Sequence, residues 1–223
     1  RGRERERERE RETQHLLMLS CAEAKNAVDI GNLTDTTEIL AHAFEASSQL
    51  TGSSTALIVM LDGDELRASN LGDSGLLIIR NGGVVYRSKE QQHSFNCPFQ
   101  LGTDSTDMPY HAERISFHLQ EDDTLVVGTD GYPAPSSQIV RLICLCPSLF
   151  DNLFDSDIVE IVQQAQQQQL SLEETAREIA KRASEAAQKR AGMVPFGVRA
   201  REYGYLFIGG KLDDITVLVA KPV

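Results

Sequence analysis

Apolar residues recur at helical spacing at Ile39, Leu40, Ala43 and Phe44, behind Asp35 and Glu38 set three apart. That pattern predicts a capped helix with one apolar face. The period then shortens. Thr55 to Leu61 is rich in β-formers, Asp62-Gly63-Asp64 is a turn, and Glu65 to Leu71 is a second strand. Leu76 to Ile79 and Val84 to Tyr86 flank the turn Asn81-Gly82-Gly83. Two successive hairpins predict an antiparallel meander. Ile115 to Leu119 alternates like a strand, Thr124 to Gly128 forms another, and Ile215 to Ala220 is mostly apolar and expected to be well buried. Between the last two, Asp157 with Glu160 predicts the cap of a helix carrying Ile158, Ile161, Val162 and Ala165. Ser171 with Glu174 caps a further helix whose apolar face runs through Leu172, Ala176, Ile179, Ala180, Ala183 and Ala187, with Gly192 as its stop. Antiparallel strands with helices set apart make an α+β fold and not a doubly wound parallel sheet.

Composition narrows the function. The chain has 22 Lys and Arg against 33 Asp and Glu, a formal charge of −11, which argues against a nucleic-acid partner. No apolar run approaches the roughly 20 residues of a spanning helix, so no membrane span is expected. Residues Arg1 to Glu12 alternate Arg and Glu and cannot bury enough surface to offset ordering, so 1–15 reads as a disordered tail. Cys21, Cys97, Cys144 and Cys146 are too few and too irregular for a disulfide or zinc framework. A reducing, intracellular compartment and a monomer are expected.

Chemistry gathers at the strand ends. Glu65 to Leu71 runs into Gly72-Asp73-Ser74, Thr124 to Gly128 runs into Thr129-Asp130-Gly131, and Asp213-Asp214 precedes Ile215 to Ala220. Aspartates beside glycines on neighbouring strands can converge, and converged carboxylates repel unless a cation sits among them. Hard oxygen donors suit Mg or Mn, and the chemistry such a site favours is phosphate-ester hydrolysis by metal-activated water. The alternative is that the aspartates only fill turns. His93 and His118 are expected to be structural or surface residues, and Ser74 and Thr129 to hold their loops by hydrogen bonds.

The segments GSST (Gly52 to Thr55), NLGDSG (Asn70 to Gly75), VVGTDG (Val126 to Gly131), LFDN (Leu149 to Asn152) and GGKLDDITVLVA (Gly209 to Ala220) follow one another in this order. Together they resemble the metal-dependent type 2C protein serine/threonine phosphatases. EQQHSFNCPFQL, Glu90 to Leu101, is similar to the small branch of that family associated with mitochondria and plastids. The resemblance implies two antiparallel sheets packed as a sandwich between helical layers (α-β-β-α), with a binuclear Mg or Mn site at one end. It implies metal ligands at Asp130 and Asp213, the two residues expected to carry catalysis. Asp73 and Asp151 match a weaker third metal, Gly131 a main-chain contact, and Asp214 a position beside the ligands. Phosphorylated proteins are the implied substrates.

Two departures qualify the resemblance. The family opens with an acidic strand and a D-G-x-x-G turn whose aspartate bridges both metals, and no D-G-x-x-G occurs in these 223 residues. The domain at 16–223 is therefore read as partial, lacking the first strands, and little Mn-dependent activity is expected of this chain. A catalytically silent phosphatase-like binding module is the alternative, and a chain unable to fold because a strand edge stays unpaired is a third reading. The second departure is Tyr132 to Ser148, an insertion between T-D-G and L-F-D-N. It reads either as a lid beside Asp130 or as sequence retained from an intron.

Overall fold

Along Ala56–Asp62 the odd positions Leu57, Val59 and Leu61 and the even positions Ala56, Ile58 and Met60 are all buried. Side chains alternate across a strand, so this strand is covered on both faces. The computed structural model describes residues 19–20, 22–29, 33–103, 105–129, 142–144 and 148–222. A helical stretch over 22–29 (α1) precedes α2 (Thr36–Ser47). The strands β1 (Ser53–Ser54), β2 (Ala56–Asp62), β3 (Glu65–Leu71), β4 (Gly75–Arg80) and β5 (Gly83–Arg87) follow. Next come the short β6 (Gln92–Ser94), β7 (Cys97–Pro98) and β8 (Leu101–Gly102), then β9 (Glu113–His118), β10 (Thr124–Thr129) and β11 (Leu142–Cys144). The chain continues through α3 (Ser148–Asn152), α4 (Asp155–Gln167), α5 (Leu172–Ala187) and α6 (Pro195–Glu202) to β12 (Thr216–Ala220).

The strands form two four-stranded antiparallel sheets, a front sheet in the order β11-β2-β3-β9 and a back sheet in the order β12-β10-β4-β5. The predicted meander is thus divided. The hairpins β2-β3 and β4-β5 both form, but they lie in different sheets, because Gly72-Asp73-Ser74 carries the chain across the sandwich. Periodicity reports which face of a strand is apolar and says nothing about which sheet receives it.

Three apolar clusters hold the four layers. Leu57, Val59, Leu61, Leu66 and Ala68 of the front sheet meet Leu76, Ile78, Leu125 and Val127 of the back sheet between the sheets. Ala24, Ala27 and Val28 of α1 and Ile39, Leu40 and Ala43 of α2 cover Ile58 and Met60 on the outer front face. Leu149, Phe150, Ile158, Ile161, Val162, Ile179 and Ala183 cover Leu77, Ile79, Val126 and Val219 on the outer back face. Each fully buried Leu, Ile or Val in these clusters contributes about 1.5–3 kcal/mol. The architecture is the α+β sandwich expected from the sequence.

The caps are instructive. The Asp35 carboxylate accepts from the backbone of Thr37 (2.8 Å) and Glu38 (3.1 Å) and starts α2. Ser171 and Glu174 form the expected capping box of α5. Asp157 is not the N-cap of α4: it lies inside the first turn and accepts from the Phe154 backbone N–H at 2.9 Å, so α4 starts at Asp155. Gly192, with φ of +136°, does not stop α5, which ends at Ala187 before a loop.

Of the 132–148 insertion, Leu142–Cys144 pairs antiparallel with β2 as the end strand of the front sheet, and the outer edge of β2 is covered for that length. The tail at 1–15, Cys21, Cys146 and most of the insertion lie outside the described residues. Among the described residues, no helix is long and apolar enough to cross a membrane.

Candidate metal centre

Gly75 at the start of β4 and Gly128 near the end of β10 are register partners. A β-carbon on Gly75 would overlap the Phe150 ring, and one on Gly128 would lie 2.7 Å from Leu149 Cβ. The two glycines let α3 settle flat on the end of the back sheet. That contact brings Asp151, the fourth residue of α3, up to the turn bearing Asp73. Sequence reading placed Asp73 at a strand end and Asp151 only within the L-F-D-N motif, and the paired glycines are what join them.

Asp73 and Asp151 are 4% and 1% exposed, and they answer burial differently. Asp151 has a donor on each oxygen: Arg199 Nη2 donates to its Oδ1, and Lys211 Nζ donates to its Oδ2 at 2.7 Å. Asp73 has a buried Oδ1 with no hydrogen-bond partner. Burial, reinforced by the negative charge of Asp151, pushes the Asp73 carboxyl up to about 7, against the pull of Lys211. Burial alone would lower the Lys211 pKa, but the charge and hydrogen bond of Asp151 outweigh it and the net direction is upward.

The surrounding charges form one network. Arg199 Nη1 lies 3.4 Å from Glu90 Oε1. Arg87 lies 3.8 Å from Glu90 and 3.5 Å from Asp155, with its guanidinium 3.7 Å over the Phe150 ring. Asn152 clamps the other side: its Nδ2 donates to the Lys211 carbonyl and its Oδ1 accepts from the Lys211 N–H, both at 2.9 Å. This exchange fastens the L-F-D-N helix to the G-G-K-L-D-D loop.

Asp213 and Asp214 are exposed on that loop, where Asp213 Oδ1 accepts from the Asp214 N–H at 3.0 Å. The charge of Asp213 acts on Lys211, as do those of Asp151 and Asp73, so this ammonium is the common neighbour of three of the aspartates singled out above. Asp130 and Gly131 lie outside the described residues. Among the described residues, no three His, Cys, Asp or Glu side chains form a group able to hold an ion.

The remaining candidates are local. His93 Nε2 lies 2.9 Å from Asp107 Oδ2, and its ring stacks on Phe99. His118 faces Asp64 at 3.2 Å on the surface. The Ser74 hydroxyl pairs with that of Thr55 at 3.1 Å. Cys97 is an exposed free thiol. Sequence reasoning missed Lys211, Arg199 and Arg87. Lys211 stood inside a quoted motif, whereas Arg199 lies on α6, whose only signal was Pro195 at its first turn.

No family model matches the chain. Curated proteins do. The chain is 38% identical over 76% of its length to the Probable protein phosphatase 2C 55 of Arabidopsis thaliana, covering 33% of that protein. It is 41% identical over 77% of its length to the Protein phosphatase PTC7 homolog of Homo sapiens, covering 54% of it. The chain belongs to the protein phosphatase 2C family. It spans a third to about half the length of these relatives. The X-ray structure of the photosystem II phosphatase PBCP superposes on this type 2C fold with a TM-score of 0.78 at 27% identity, covering 92% of this chain and 79% of that one. The catalytic domain of the phosphatase PstP, solved in complex with two manganese ions, shares the fold at a TM-score of 0.55 and 14% identity, covering 91% of this chain and 78% of that one.

Proposed function

We propose that this protein is a protein serine/threonine phosphatase that hydrolyses phosphoserine and phosphothreonine, and that this chain supplies Asp73, Asp151, Asp130 and Asp213 to its metal centre. The carrying observation is the buried, partnerless Oδ1 of Asp73 beside the carboxylate of Asp151. A like-charge pair shut away from water is unfavourable alone and becomes favourable around a divalent cation. Its donors are hard oxygens, which fit Mg or Mn.

When bound, such ions supply an acidified water and charge neutralisation at the phosphoryl oxygens. The chain's own residues set the stage. Asp73 and Asp151 would hold a cation, and the Asn152–Lys211 clamp fixes the loop that carries Asp213 and Asp214. Asp214 orients Asp213 through its N–H. Gly131, next to Asp130 in sequence, would make the main-chain contact that the family resemblance implies. A phosphoprotein substrate would approach the exposed side of this loop. Mitochondrial or plastid residence is the location we assign, supported by the Glu90 to Leu101 motif and by the photosystem II phosphatase among the structural neighbours.

The test is phosphate release from a phosphothreonine peptide with manganese. Turnover that is slow, abolished by chelation and lost in Asp213→Asn supports the proposal. Turnover that survives both chelation and Asp213→Asn removes it.

A further inference from the structure

Lys211 stands where the carboxylates meet. Its Nζ lies 2.7 Å from Asp151 Oδ2, 3.3 Å from Asn96 Oδ1 and 4.8 Å from the centroid of the Phe196 ring. It is also the cation that opposes the charge of Asp73. We propose that Lys211 is an internal counter-cation of the Asp73–Asp151 seat, which a divalent ion must displace from Asp151 in order to bind there. The inference rests on the phosphatase reading and adds a regulatory property to the same site.

Three observations argue for a displaceable cation and against a permanent strut. First, Asp151 Oδ2 has Lys211 as its partner while Oδ1 is held by Arg199, so one oxygen can change partner without stranding the carboxylate. Second, the ammonium has somewhere to go. Asn96 and the Phe196 face already touch it, and a lysine on a flexible stem keeps such contacts while moving an ångström or two. Third, the Lys211 backbone is held independently by Asn152, so the ammonium can leave Asp151 without unfastening the loop that carries Asp213. The released ammonium would lean on the β6–β7 hairpin, whose Phe95 packs on Phe196, Tyr203 and Tyr205. Ion occupancy at the seat would then be sensed by that hairpin.

The experiment is manganese titration of the full chain by calorimetry, with Lys211→Met, Lys211→Arg and Asp73→Asn. Removing the competing charge should tighten manganese binding in Lys211→Met by roughly tenfold, while Lys211→Arg stays near wild type. The gain should vanish when Asp73→Asn is added. An unchanged or weaker affinity in Lys211→Met, or a gain that persists without Asp73, overturns the inference and leaves the phosphatase reading intact. Absence of any divalent uptake by wild type overturns both. A second measurement needs no variant: magnesium added to the wild-type chain should shift the Lys211 ammonium resonance in a side-chain nitrogen spectrum. A resonance that does not move while magnesium binds overturns the inference.

Discussion

Asn152 and Lys211 exchange two hydrogen bonds of 2.9 Å across 59 residues of sequence, one in each direction between the Asn152 side chain and the Lys211 backbone. Asn152 is 2% exposed, so this pair is a buried seam between the L-F-D-N helix and the loop before β12. Asn152→Ala removes both bonds and leaves two backbone groups short of partners. The expected cost is about 2–4 kcal/mol, read as a lower midpoint in urea, accompanied by weaker divalent uptake because the loop bearing Asp213 loosens. An unaltered midpoint would contradict the seam.

Gly75 tests the same contact from the sheet side. Adding one methyl there drives the Phe150 ring off β4. Gly75→Ala should cost about 1–3 kcal/mol through overpacking and weaken ion binding by moving Asp151. Circular dichroism with thermal melts checks the first part, and calorimetry with manganese checks the second.

Asp73 makes stability depend on pH. Its folded-state pKa of about 7 lies above the ordinary 3.8, so the folded state holds a proton that the unfolded chain releases sooner. The associated stability is present below about pH 4 and is lost as pH rises to about 7, by on the order of 4 kcal/mol at most. In the presence of a chelator, the chain should therefore weaken between pH 4 and pH 7. Asp73→Asn should flatten that slope and make the chain more stable than wild type at pH 8. Added magnesium should restore wild type at pH 8 and stabilise Asp73→Asn less, since one ligand is gone. Urea unfolding at pH 5 and pH 8 is the measurement, and a wild-type slope of opposite sign would refute the assignment.

A distant control is the Arg80–Asp123 pair. Arg80 reaches both oxygens of a fully buried carboxylate, at 2.6 and 2.7 Å. Burial alone would raise the Asp123 pKa, but the Arg80 hydrogen bonds outweigh it and hold it below the usual range. Arg80→Met leaves the Asp123 carboxylate without its guanidinium partner and should lower the urea midpoint, without altering manganese affinity per folded molecule. An equal loss of affinity would mean that the two ends of the sandwich are coupled.

Local chemistry carries part of this molecule. Asp35 before α2, Ser171 with Glu174 at α5, and the hairpins at Asp62-Gly63 and Asn81-Gly82 were legible because caps and turns are decided within four residues, where side-chain oxygens and positive φ act directly. The order of motifs also carried the family, and with it the sandwich. What escaped was long-range. Nothing local says that β3 and β4 join different sheets across Gly72-Asp73-Ser74, or that Arg199 on α6 reaches Asp151, 48 residues earlier. Those facts depend on burial shared by distant segments.

The sequence by itself determined the β-rich runs that become β2 and β3, the caps of α2 and α5, and the aspartates poised at the ends of strands. Only the tertiary structure decided that Asp73 and Asp151 become neighbours through the Gly75–Gly128 opening, and that Lys211 sits on Asp151 while Asp73 keeps a lone buried oxygen. The reason is electrostatic as well as steric. A carboxylate's charge state is set by what packs around it and how much water is excluded, and neither quantity exists until the layers have closed.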